Sequence, residues 1–167
     1  MAILNTSSEI TYRLDLTKGF LAEAEQDVQL KRWRSCVDNS QLAVENAGKA
    51  VLALFGVVPK THEPARQVAA LLRDQLLPDE LQEILQHMLP NLLALGATEH
   101  FLTDYGDEAN YRLPWDLFTE DSAQDALKAA RQCLEQLQSL LEAIATKRQE
   151  ESERIEATAP SAAEDNP

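Results

Sequence analysis

Apolar residues recur at three- and four-residue spacing along most of this chain, the period of amphipathic helices rather than of strands. Leu16, Phe20, Leu21, Ala24, Val28 and Leu30 share one face of a first helix placed over Tyr12 to Trp33. A second helix follows almost at once, from near Arg34 to Phe55. So short a link favours a hairpin, with one continuous helix as the alternative. Ser40, Ala43, Ala47, Gly48 and Ala50 give the second helix a small-residue surface, suited to a close crossing within the chain or to a dimer seam. Gly56 ends it where a positive φ is cheap. Pro64 suits the first turn of a third helix, with Val68, Leu71 and Leu72 inward and Pro78 as its stop. A fourth opens at Asp79, which with Gln82 resembles a capping box, and keeps helical spacing from Leu81 to Leu95. Pro90 should kink or divide it. Between Asp104 and Phe118 the period fails, and Tyr105, Tyr111 and Trp115 gather in a loop. Thr119 then caps a last long helix whose Leu127, Ala130, Leu134, Leu137, Leu141 and Ile144 form a narrow seam.

These elements predict an all-α fold, an up-and-down bundle of four to five helices. Residues 1–11 read as a frayed N-terminus, 12–148 as the bundle, and 149–167 as a disordered acidic tail. With 167 residues the chain can bury a core without metals or disulfides. Five glycines and 5% aromatic residues argue against a sandwich or barrel. Cys36 and Cys133 lie within apolar helical patterns, as buried thiols of a reduced, intracellular protein would. No stretch approaches the ~18 apolar residues that span a bilayer. The N-terminus lacks the basic flank and apolar run of a secretory signal, so the cytoplasm is the expected location. The net charge of −13 repels phosphate backbones at long range, which excludes strong nonspecific nucleic-acid binding but leaves room for a local basic pocket.

Candidate chemistry concentrates in three places. Glu45 and Lys49 stand i and i+4 on one helix face, in the favourable order for an ion pair. Lys49 could meet a phosphate, or Glu45 could orient Arg112; a plain salt bridge is the alternative. Lys60 and His62 flank Thr61 ahead of a helix N-terminus, where backbone N–H groups hold anions or Thr61 simply caps. Arg112, beside Tyr111 in the aromatic loop, could clamp a phosphate, stack on a base, or pair with a carboxylate. His100 with Asp104, and Glu83 with His87, have ligand spacing but no third ligand, so no metal and no cofactor are expected.

Trp33, the block Ser40-Gln-Leu-Ala-Val-Glu45-Asn-Ala-Gly-Lys49-Ala-Val-Leu, the Pro59-Lys-Thr-His62 corner, and Arg112-Leu-Pro114 before a helix opening Asp121-Ser-Ala together resemble the HEPN domain, named for "higher eukaryotes and prokaryotes nucleotide-binding". The resemblance covers residues 12 to 145. It implies a helical bundle like the substrate-binding subunit of nucleotidyltransferases, usually a homodimer, often accompanied by a minimal nucleotidyltransferase. Many members are RNA-cleaving toxins of toxin–antitoxin pairs. Those ribonucleases carry an Arg followed four to six residues later by His. Here no histidine follows Arg112, and His62, His87 and His100 have no Arg at that distance upstream. The Arg-Tyr-Pro of many non-catalytic members stands as Arg112-Leu113-Pro114. The resemblance thus implies a non-catalytic domain that binds a nucleotide, or a nucleotidyltransferase-like partner, through Glu45, Lys49, Lys60, His62, Tyr111 and Arg112. A divergent ribonuclease acting on RNA and a structural adaptor are the alternatives.

Overall fold

The structure, a computed structural model, describes residues 7–56, 62–74 and 76–158. Seven helices follow one another among the described residues: α1 (Ser7–Gln29), α2 (Trp33–Leu54), α3 (Pro64–Asp74), α4 (Asp79–Ala94), α5 (Ala97–Tyr105), α6 (Pro114–Leu117) and α7 (Glu120–Thr158). Four long helices, α1, α2, α4 and α7, make the bundle; α3, α5 and α6 pack around α2. The all-α fold expected from the periodicity is the one observed.

The hairpin alternative holds at the first link. Arg32 N–H bonds the Asp27 carbonyl at 2.9 Å and Lys31 N–H the Val28 carbonyl at 3.2 Å, while Lys31 takes φ 57°. These two bonds form a Schellman motif with a lysine in the left-handed position that usually goes to glycine. They end α1 before Leu30 and reverse the chain, so the helix stops short of Trp33. Upstream it begins at Ser7, taking in part of the segment expected to fray; residues 1–6 lie outside the described residues.

The small residues of α2 have an intramolecular role. Ser40, Ala43, Ala47 and Ala50 are fully buried within the single chain. A Cβ on Gly48 would come within 2.7 Å of Pro64 Cγ and 3.2 Å of Leu92 Cδ2. Glycine here lets the first turn of α3 and the end of α4 lie against α2. No surface of that stripe is left over for a dimer seam.

α4 continues through Pro90 as one helix, with Leu81, Leu85, Met88 and Leu92 all buried. Core burial holds together what the proline weakens. Its N-cap is Pro78 rather than Asp79, which instead places its carboxylate in the first turn, at the positive end of the dipole. Thr119 does cap α7: Ser122 N–H donates to Thr119 Oγ1 at 3.3 Å and Thr119 N–H to Ser122 Oγ at 2.8 Å. α7 then runs to Thr158, past the Arg148 boundary read from the sequence. Its last ten residues are all exposed and contain no proline or glycine, and Gln149 Nε2 bonds Glu153 Oε1 at 2.7 Å. Residues 159–167 of the expected tail lie outside the described residues. No helix among those described is long and apolar enough to cross a membrane. Cys36 and Cys133 are free and buried, and burial pushes the Cys133 thiol up to about 12.

Candidate functional site

The α2 helix brings Gln41, Glu45 and Lys49 onto a single line, each four residues from the next. Glu45 is 4% exposed. Lys49 Nζ approaches Glu45 Oε1 at 2.6 Å and Gln41 Nε2 donates to Oε2 at 3.1 Å. His62, just ahead of α3, places Nδ1 3.2 Å from Oε1 and 3.3 Å from Oε2. Burial alone would raise the Glu45 carboxyl. Hydrogen bonds from Lys49 and Gln41, the lysine charge and the His62 contact outweigh it and hold the group below the ordinary carboxylate value.

The corner extends through rings. His62 stacks on His100 of α5, centroids 5.3 Å apart and planes 11° apart. His100 meets Phe101 edge-on, and Phe101 contacts Tyr105 at 5.9 Å. His100 Nε2 lies 3.7 Å from Asp104 Oδ2. Two polar atoms of this network, Gln41 Oε1 and His100 Nδ1, are buried with no hydrogen-bond partner. Beside it, Glu45, His62, Arg66, Leu92 and Leu95 line a concavity of about 160 Å³. Gln41 could have been found by its spacing from Glu45. His100 could not, since only the docking of α5 on α2 delivers it.

Tyr111 and Arg112 do not share this corner. Thr103 on α5 touches Arg34 and Asp38, near the start of α2, so α5 runs antiparallel to it. Arg112 forms a backbone bridge with Asp107, beyond the far end of α5: each N–H donates to the other's carbonyl at 3.0 Å. Arg112 Nη2 donates to the Asp116 carbonyl at 3.1 Å. A Cβ on Gly106 would overlap the Arg112 carbonyl oxygen, so a side chain there would open this turn. Tyr111, at φ 55° and 93% exposed, points away into solvent. The turn is a local unit, and the residues expected to bind together fall in two places. Lys60 and Thr61 lie outside the described residues. Among those described, no three His, Cys, Asp or Glu side chains gather as a metal would require.

A family model of the HEPN domain matches residues 12–140. The chain belongs to the HEPN family. A relative from Methanocaldococcus jannaschii, named "Putative toxin MJ1304", is 25% identical over 140 residues, covering 78% of this chain and 91% of its own. The crystal structure of TT1696 from Thermus thermophilus superposes with a TM-score of 0.60 at 21% identity, over 78% of this chain and 97% of that one. That likeness bears on the fold alone.

Proposed function

We propose that this HEPN domain is a non-catalytic binding module for a nucleotide, with the Glu45 corner as its site. The observation that carries the reading is the corner's unfinished hydrogen bonding. A buried carboxylate gathers a lysine, a glutamine and a histidine, yet Gln41 Oε1 and His100 Nδ1 remain buried and unpartnered. Buried polar atoms left open call for a polar ligand or ordered water. The ring of His62, whose side chain is 68% exposed, offers a face for stacking beside the Lys49–Glu45 pair. Cleavage of RNA needs a general acid or base together with a cation held on the scissile phosphate. The sequence has no Arg-x4–6-His motif, and Arg112 donates to a backbone carbonyl in another part of the surface.

A second reading, docking of a protein partner, is favoured by a different observation. Phe101, Tyr105, Tyr111, Leu113 and Trp115 are each more than half exposed along α5 and the following turn. A minimal nucleotidyltransferase-like chain, or a second copy of this chain making a homodimer, would cover such rings; both fit a cytoplasmic protein. The toxin named among the relatives keeps RNA cleavage as the outcome to test against. Overexpression with a growth readout, paired with nucleotide-dependent thermal melting, separates the three. Nucleotide binding predicts no growth arrest and a melting shift that disappears in Lys49→Met. Growth arrest relieved by Arg112→Ala would refute the non-catalytic reading.

A further inference from the structure

The N-terminal end of α2 holds a cleft that the Glu45 corner does not use. Lys31, Arg32 and Arg34 place three of the chain's fifteen Lys and Arg residues within four positions, in a protein of net charge −13. They surround a cavity of about 370 Å³ together with Trp33, Ser35, Trp115 and Phe118. That size lies within the range of small-ligand sites. Both tryptophans of the chain line it. Trp115 is 70% exposed, so its face is open.

The cations differ in how they are held. Arg34 is fixed: Nη1 donates to the Thr103 carbonyl at 2.6 Å and Nη2 stands 3.5 Å from Asp38 Oδ2. Arg32 reaches Asp27 at 3.5 Å with most of its side chain in solvent. Lys31 makes no ion pair among the described residues. Its left-handed backbone is a conformation that glycine adopts more cheaply. An inorganic anion or an acidic peptide would answer the cations and leave the rings idle. An apolar ligand would do the reverse. A flat aromatic ring carrying a phosphate answers both, through stacking and charge-assisted hydrogen bonds.

We propose that this cleft at the α1–α2 turn binds a nucleoside phosphate, its base against Trp33, Trp115 and Phe118 and its phosphate against Lys31, Arg32 and Arg34. The ligand is a free nucleotide or one unit of a single strand. From Trp33 to Glu45 is twelve residues of helix, roughly 18 Å, so the two sites are separate and neither depends on the other.

Tryptophan emission of the full chain tests the proposal directly, because no tryptophan lies elsewhere. Titration with AMP or with a short single-stranded oligoribonucleotide should give a saturable change in emission. A response to both assigns a free nucleotide; a response to the strand alone assigns a single strand. Lys31→Gly keeps both tryptophans and suits the backbone. It should weaken binding about ten-fold while melting no lower than the parent. No saturable change, or equal affinity in Lys31→Gly, overturns the proposal. So does a response to inorganic phosphate as strong as that to AMP. A response lost in Lys49→Met but kept in Lys31→Gly would move the ligand to the Glu45 corner and overturn the cleft.

Discussion

At the Glu45 end of α2 a carboxylate with 4% exposure is answered by lysine, glutamine and histidine from within the fold. At the Trp33 end, cations stand beside half-exposed rings, and one of them has no counter-charge among the described residues. The first arrangement answers its charge from within the fold, leaves Gln41 Oε1 and His100 Nδ1 open to a ligand, and joins α2 to the segments before α3 and in α5. The second is open at Lys31 and Trp115, with Arg34 alone tied across to α5. A charge network answered from inside stabilises the fold and is damaged by removing either partner. A cation left open, as Lys31 is, adds little to the fold and is available for recognition. The contrast therefore makes the Glu45 corner a site on which the fold also depends and the Trp33 cleft one on which it does not, and substitutions at the two places should tell them apart.

Glu45→Ala should have the largest effect. It leaves the Lys49 ammonium, 12% exposed, without its partner and should destabilise the fold by about 3 kcal/mol, measured by chemical denaturation. pH sharpens the same test. The folded-state carboxyl titrates below its ordinary value of 4.5, so its stabilisation is present above that value and disappears as pH falls through the folded one. The stability gap between the parent and Glu45→Gln should be full at pH 7 and close as pH falls from 4.5 through the lower folded-state value. A gap unchanged at acid pH would mean that packing, rather than charge, holds the corner.

The difference between the two ends also explains what could be read from the sequence. Helix placement followed from apolar spacing and from start and stop signals such as Pro64 and Gly56, which act locally. The pair Glu45–Lys49 was legible for the same reason, because i and i+4 positions on a helix always meet. His62 joining that pair depends on how the chain re-enters at α3, and His100 on the antiparallel docking of α5. Neither contact has a local signal. Arg112 was drawn to the corner by analogy with a motif, whereas its own partners, Asp107 and Asp116, lie within five residues. The Trp33–Trp115 cleft stayed invisible because it joins residues 82 positions apart. The link at Lys31 carried no glycine to announce its left-handed turn.

Two glycine substitutions set the packing of α3 on α2 against helix propensity. Gly48→Ala gains helix propensity, yet its methyl meets the rigid Pro64 ring at 2.7 and 2.9 Å. Overpacking of this kind should leave a net loss of about 1–2 kcal/mol. Gly19→Ala, exposed in α1 with no atom within 4 Å of the new Cβ, should gain about 0.5–1 kcal/mol. Melting both variants isolates the close approach of α3 from helix propensity. Equal stabilisation of the two would mean that α3 does not press on α2.

The smallest effect belongs to the open end. Lys31 occupies the left-handed position of the Schellman motif that closes α1, with φ 57°. Relief of that conformation by glycine is worth ~1–2 kcal/mol, and the greater freedom of glycine in the unfolded chain takes back about 0.4–1 kcal/mol. Lys31→Gly should therefore be more stable than the parent by roughly 0.5–1 kcal/mol in equilibrium denaturation. Lys31→Asn should fall between the two, since asparagine tolerates this region better than lysine. A substitution that strengthens the fold while weakening nucleotide binding would mark Lys31 as a residue retained for recognition at the expense of stability. Loss of stability in both variants would instead give the lysine side chain a structural role, and the division between the two ends of α2 would fail.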